Sequence, residues 1–482
     1  MKLAACIIAK NEEENLPRLL KSLVGKFDEI VLVDTGSEDR TPQIAKEFGC
    51  KVVAHEWRGF ADARNRAISE LSSDVDWIWH FDADFELEDE EYRKALVYLR
   101  NLDPRIDGAA IGVRNLDNLG NIKGVSSHIF VHRPRNYIKW KGRVHEYPTV
   151  KLATGIPIFV NHYGYSTAEI VRSKAERNLK ILLNEMVEFE KGSREYLIKL
   201  FYIIQSYTIL SYQEPRFISE ALKWAEEFLE GSKNTDLAFF STYVYNYILS
   251  LLERTRDEEK LEQYIEQALS FDRFVPDIYI TAIRYYMKKD KEKAIKILVK
   301  LISLLAKWEF YPFFSSTTFA SDRIRELIGF FLSLKTSDLE SISTKLEKIW
   351  RKTGSKFAGA LLLRALSGKD KVRLWKKLVY RFGDDDFLLP FLFFEANSLE
   401  GDVLRLISNR IKGTLLFFLV EALIKEKEGK KEEALELYSA FLKRKKEPFI
   451  TLYIASKLSD VGINFRTKLP IIGNEEENTL RR

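Results

Sequence analysis

The sequence predicts two classes of structure in one chain: an α/β domain over residues 1–166, then an all-α region of repeat-like helices. Three observations carry this. The first third alternates short apolar runs with amphipathic stretches, the order of elements that builds a parallel sheet with helices on both faces. From about Thr167 onward, apolar residues recur at helical spacing. All six histidines (His55, His80, His128, His132, His145 and His162) fall before that point, so side chains suited to metals and proton transfer are confined to the α/β part.

In order, Leu3 to Ala9 reads as a strand, Glu12 to Leu23 as an amphipathic helix, and Glu29 to Asp34 as a second strand. Thr41 before Pro42 reads as an N-cap with proline at the first helical position, opening a helix to Phe48. Lys51 to Trp57 is the third strand, and Ala61 to Leu71 a helix. Trp77 to Asp82 is a fourth strand, apolar enough to be buried on both faces, and it runs out in Asp82-Ala83-Asp84. Gly108 to His162 holds short strands separated by turn signals at Asn118 to Asn121, Pro134 to Asn136 and Gly155, which predicts an antiparallel extension of the same domain.

The helical part divides into residues 167–306 and a further region, 307–482. EALKWAEEFL at Glu220, EKAIKILVKL at Glu292 and EEALELYSAFL at Glu432 are similar units. They resemble the tetratricopeptide helix pair, with Ala at its close-packing position and Pro276 as a repeat end. That resemblance implies an array with a concave face for an acceptor or a partner. DFLLPFLFF and GTLLFFLVEALI are too short to span a membrane and read as buried helices.

Composition excludes several classes. With 482 residues, 46% hydrophobic and 30% charged, the chain has the make-up of a folded globular protein. A net charge of +5 is too small on this length to argue for nucleic acid. Two cysteines, Cys6 and Cys50, rule out a disulfide framework and fit a reducing compartment, the cytoplasm. The first residues lack the apolar region of a signal peptide, and no transmembrane segment is predicted. Lys-rich helix faces such as residues 421–446 leave open a peripheral contact with the inner face of the membrane.

The chemistry centres on Asp82 and Asp84. Carboxylates at the carboxyl end of a strand can hold Mn²⁺ or Mg²⁺ together with substrate phosphates, the alternative being a solvated acidic turn. The surrounding motifs are more specific: Ile7-Ile8-Ala9-Lys10-Asn11-Glu12-Glu13, VDTGSEDRT from Val33, ADARN from Ala61, and FDAD from Phe81. In this order and spacing they resemble the family 2 glycosyltransferases, which have the GT-A fold of nucleotide-diphospho-sugar transferases.

The resemblance implies roles for particular residues. Asn11, Glu12, Asp34, Arg64, Asn65 and Asp82 would bind the nucleotide sugar. Asp34 would accept a hydrogen bond from the uracil or ribose, or else cap its turn; Glu12 reads equally as a first-turn acid. Arg64 and Asn65 would reach the sugar and diphosphate, or Arg64 would pair with an acid. Asp82, Asp84 and His162 would hold the metal, the alternative for His162 being a histidine bonded within the core. Glu146, in KWKGRVHEYP, would be the base that takes the acceptor's proton, its alternative being a salt bridge to Lys139, Lys141 or Arg143.

The implied activity is inverting, metal-dependent transfer of a sugar from a nucleotide sugar, a UDP-sugar first, to a peptide, protein, glycan or lipid-linked acceptor. The alternative is a non-catalytic repeat scaffold whose nucleotide-sugar-binding domain has degenerated. A nucleotidyltransferase is disfavoured because KNEEE follows the first strand where a glycine-rich basic loop is expected.

Overall fold

The structure, a computed structural model, describes residues 1–116, 120, 122–164, 168–271, 275–308, 321–383, 385, 387–445 and 448–459. Four parallel strands, β1 (Leu3–Ala9), β2 (Glu29–Asp34), β3 (Lys51–Ala54) and β4 (Trp77–Asp82), stand in the order β3-β2-β1-β4. Helices α1 (Leu16–Leu23), α2 (Thr41–Glu47) and α3 (Phe60–Ile68) connect them. After the two-residue β5 (Phe85–Glu86) and α4 (Asp89–Asn101), the chain adds β6 (Gly108–Leu116), β7 (Ile122–His132) and β10 (Ala153–His162). The mixed eight-stranded sheet then reads β3-β2-β1-β4-β7-β6-β10-β5, and β8 (Trp140–Lys141) pairs with β9 (Tyr147–Pro148) as a separate ribbon.

The pleat explains the two apolar layers. Ala4, Cys6 and Ile8 of β1 face α3, meeting Ala63 and Ala67. Leu3, Ala5 and Ile7 face the other way, onto the leucines of α1 and onto Ala95 and Leu99 of α4. Strands covered on both faces need near-continuous apolar sequence, as β1 and β4 have. Both cysteines are free and buried within these layers, and burial pushes the Cys50 thiol up to about 11.

Several local expectations are corrected. The first helix begins at Leu16, not Glu12, because Asn11 takes a positive φ of 54° and the Glu12 carbonyl closes a turn onto Asn15 and Leu16. Thr41 lies inside α2 rather than capping it, and its hydroxyl accepts from the Glu12 backbone N–H at 2.7 Å. The third strand ends at Ala54, and α3 runs only from Phe60 to Ile68. β6, β7 and β10 are long, at 9, 11 and 10 residues, and β10 lies parallel to β6. Gly155 sits at a register shift within β10, not at a turn. The turn expected at 118–121 falls mostly outside the described residues.

Among the described residues, every element after β10 is helical: α5 (Ala168–Met186), α6 (Arg194–Ser211), α7 (Phe217–Ser232), α8 (Ser241–Leu252), α9 (Glu258–Ser270), α10 (Pro276–Lys289) and α11 (Lys291–Trp308), with more to Ser459. Successive helices from α5 to α10 pack on one another. The three similar units fall in α7, α11 and the helix Lys431–Arg444, where Ala221, Ala225, Ala294 and Ala434 are buried as a close-packing position requires. Pro276 is the first residue of α10. Helices Leu388–Asn397 and Leu415–Lys427 hold the two apolar runs, and no described helix is long and apolar enough to cross a membrane.

The chain separates into two compact units, the first containing Met1–Leu298 and the second Arg325 to the end of the described residues. The sheet and helices α5–α10 therefore belong to one unit. Within it, Val144 packs with Ala175, Leu179 and Leu182 of α5 and with Ile203 and Leu210 of α6.

Candidate active site

Asn11 and Glu12 follow β1, Asp34 ends β2, Asp82 ends β4 and Asp84 follows it. Parallel registry, with Ala9 opposite Asp34 and Ile8 opposite Asp82, brings these residues to one edge of the sheet. The carboxyl edge is where open α/β sheets bind ligands. Burial raises the pKa of Glu12, and the carboxylates of Asp84 and Asp82 push the same way. Three acids thus share one electrostatic neighbourhood.

The two aspartates of the motif diverge. Asp82 Oδ1 accepts from Arg64 Nη2 at 2.7 Å, and Arg64 Nε donates to Glu146 Oε1, also at 2.7 Å. Arg64, on α3, is 1% exposed and lies against the rings of Trp140 and Phe130, 4.8 and 5.4 Å from its guanidinium carbon. Burial works against its charge, but Asp82 and Glu146 outweigh it and raise the pKa. Its Nη1 is buried without a partner. Glu146 therefore pairs with Arg64, and not with Lys139, Lys141 or Arg143. Sequence proximity suggested those three, whereas the fold brings in a helix 82 residues earlier.

Glu146 is carried on the turn between β8 and β9, where Gly142 and His145 have φ of 99° and 54°. Neighbouring elements fix this turn. Phe60 N–H donates to the Arg143 carbonyl at 3.0 Å, and the His145 ring stacks on Tyr202 of α6 with centroids 3.7 Å apart. The Asn65 amide donates to the Trp140 carbonyl and accepts from the Trp140 N–H, both at 2.9 Å, so it pins β8 to α3.

Asp84 lies 7% exposed on the other side of the motif. Its Oδ2 meets His162 Nε2 at 3.2 Å and Lys174 Nζ of α5 at 3.4 Å, while Oδ1 is buried with no partner. Burial would raise its pKa, but His162 and Lys174 hold it well below the usual carboxylate range. Gly164 closes the cluster: a Cβ there would collide with Asp84, His162 and Lys174. His162 Nδ1 lies 2.6 Å from Asn115 Oδ1, so Nδ1 carries the hydrogen and Nε2 presents its lone pair when the ring is neutral.

These residues fit a hard divalent cation. An orphaned carboxylate oxygen and an oriented imidazole lone pair are what such an ion takes up. His162 Nε2 lies 3.2 Å from the other oxygen of the same carboxylate, Oδ2, close to the roughly 3.0 Å between adjacent octahedral ligands bound at about 2.1 Å. The expected trio is nevertheless split, since Asp82 is held by Arg64, and the described residues contain no group of three or more His, Cys, Asp or Glu side chains ready for a metal.

On the nucleotide side, both Asp34 oxygens accept from the Ser37 N–H, at 3.2 and 3.3 Å, so the residue caps its turn in this state. Asn11 ties the loop after β1 to the loop after β2, accepting from Glu38 N–H at 2.8 Å while its own N–H donates to Ser37 Oγ at 2.9 Å. Sequence reasoning missed Lys174, Gly164, Asn115 and Trp140. Of these Gly164, two residues past His162, and Trp140, inside KWKGRVHEYP, sit close enough to a motif to have been noticed.

Residues 4–155 match the family model Glycosyl transferase family 2, so the chain carries a family 2 glycosyltransferase domain in its N-terminal part. A TPR repeat-containing protein of Synechococcus elongatus is 45% identical over 87 residues, 18% of this chain and 21% of its own length. Glycosyltransferase SunS of Bacillus subtilis is 28% identical over 200 residues, 40% of this chain and 46% of its own. An uncharacterized glycosyltransferase of Rickettsia typhi is 38% identical over 89 residues, 18% of this chain and 30% of its own. The chain thus spans between a fifth and a half of these relatives. Among solved structures, TarS of S. aureus is 15% identical at a TM-score of 0.30, covering 57% of this chain and 56% of TarS.

Proposed function

We propose that the protein is an inverting glycosyltransferase that moves a sugar from a nucleotide sugar, a UDP-sugar first, to a peptide, protein or glycan acceptor. The observation that carries it is the buried Arg64, which ties Glu146 to Asp82 at the carboxyl edge where Glu12, Asp34 and Asp84 also stand. Transfer with inversion is a single displacement, so one base suffices. Glu146 is that base: Arg64 holds Oε1, which leaves Oε2 to take the acceptor's proton. Arg64 keeps the carboxylate in one orientation and offsets its charge.

Asp34 binds the uracil or ribose, since a single N–H uses only part of its accepting capacity. Asn11 and Glu12 shape the same pocket. Asp84 and His162 hold Mn²⁺ or Mg²⁺, which when bound neutralises the diphosphate as it leaves. We divide the chain into a donor domain, 1–166, a repeat region, 167–306, that holds the acceptor, and a further helical region, 307–482. Two free buried thiols support a reducing, cytoplasmic setting, with any membrane contact peripheral and on the inner face.

Calorimetric titration of UDP in the presence of Mn²⁺ tests this. Binding is expected in the wild type, weakened at least tenfold in Asp84→Ala. Absence of UDP binding in both proteins would remove the basis for the proposal.

A further inference from the structure

Lys174 belongs to α5, the first helix after the sheet, and reaches back to the aspartate that ends the FDAD motif. Its Nζ is 3.4 Å from Asp84 Oδ2, His162 Nε2 is 3.2 Å from the same oxygen, and a Cβ at Gly164 would collide with all three side chains. The Asp84 side chain is 9% exposed and that of Lys174 32%, so the lysine is the more accessible partner of the pair.

An ammonium is a compact cation on a flexible stem. Beside Asp84 it adds positive charge to a buried carboxylate whose other partner is His162. It also repels a divalent ion brought to the same oxygen, and the two could share the site only if further negative charge arrived with the ion. A diphosphate brings that charge, and its oxygens accept from an ammonium as readily as a carboxylate does.

Resting on the nucleotide-sugar reading above, we propose that Lys174 is a donor-positioning residue: its ammonium stands in for the metal beside Asp84 in the free protein and passes to the donor's diphosphate when metal and donor bind together. Metal binding alone is then weak and metal binding with nucleotide is strong. One side chain from the helical region makes the two events depend on each other.

The test uses the full chain, Mn²⁺ and UDP, with bound Mn²⁺ read by electron paramagnetic resonance and UDP by calorimetry. Wild type is compared with Lys174→Met, Lys174→Arg and Asp84→Asn. Without nucleotide, Lys174→Met is expected to bind Mn²⁺ at least tenfold more tightly than wild type, and Asp84→Asn to lose this site. With Mn²⁺ saturating, Lys174→Met is expected to bind UDP at least tenfold more weakly, with Lys174→Arg closer to wild type in both measurements. Asp84-dependent Mn²⁺ binding that is unchanged or weaker in Lys174→Met would overturn the stand-in role, and unchanged UDP affinity would overturn the positioning role. Both outcomes leave the glycosyltransferase reading in place. If no variant binds Mn²⁺ with or without UDP, the metal assignment fails and the proposal fails with it.

Discussion

Arg64 is the side chain on which most of the site depends. Fully buried, it gives one nitrogen to Glu146, one to Asp82, and has a third without a partner. Removing it leaves Glu146, only 11% exposed, without its counter-charge. Breaking a buried pair in this way costs about 3 kcal/mol or more, so Arg64→Met is expected to lower the denaturant midpoint clearly. Glu146→Gln should behave differently. It keeps the shape and one acceptor for Arg64 but cannot take a proton, so transfer is expected to fall by a factor of roughly 10² to 10⁴ with little change in UDP affinity. Comparing turnover with calorimetry in that variant separates a base from a binding residue.

The same residues mark where sequence reasoning stopped. Asp82 and Asp84 were legible because an apolar strand running out in two acids is a local pattern. The partner of Glu146 was not, because Lys139, Lys141 and Arg143 were near in sequence and Arg64 is near only after α3 packs on the sheet. The partner of Asn65 was out of reach for a related reason: its motif placed it beside Arg64, and only the fold brings the Trp140 backbone to its side chain.

At the scale of elements, β7 and α5 set the geometry. β7 lies between β4 and β6 and carries His132, whose Nε2 is 3.0 Å from His80 Nε2 in β4. Burial pushes the His132 imidazole down to about 4 and holds that of His80 well below its usual range. Below about pH 6.5 the unfolded chain takes up protons that these folded histidines refuse, so stability is present above that pH and is lost as pH falls toward about 4. Each contributes up to about 1.4 kcal/mol per pH unit in that window. Denaturation midpoints measured between pH 7 and 4.5 should fall accordingly, and His132→Gln should flatten the slope.

Strand existence along β1, β2 and β4 was readable from apolar runs, whereas the lengths and pairing of β6, β7 and β10 were not. Their apolar residues are spread among Gly, Ser and His, and the bulge near Gly155 breaks the alternation that would have joined the segments. α5 was readable as a helix from its spacing. Nothing in an amphipathic helix marks one lysine among several as the one that turns back to a distant aspartate.

For the molecule as a whole, the first unit takes in the sheet together with α5 to α10. Val144, two residues before Glu146, is 4% exposed and packs against α5 and α6. A fragment ending at residue 166 uncovers Val144 and unstacks His145 from Tyr202. That is expected to cost about 3 kcal/mol, a drop of about 10 °C in the unfolding midpoint of the sheet, measurable by circular dichroism against the full chain. The broad order, α/β then helical, was legible because strand-like apolar runs alternate with amphipathic stretches up to residue 166, and helical spacing continues alone after it. The tie between the regions was not, since it rests on contacts such as Lys174 with Asp84 that no local pattern encodes.

Sugar transfer from a nucleotide donor with Glu146 as the proposed base can be followed in a panel of nucleotide sugars incubated with the full protein and Mn²⁺, by nucleotide release and the anomeric configuration of the product, with Glu146→Gln and Asp84→Ala in parallel. Release from one donor, inversion at the transferred sugar, and loss of turnover in both variants are expected. Turnover that survives in Glu146→Gln, or a product that retains the donor's configuration, would contradict this reading.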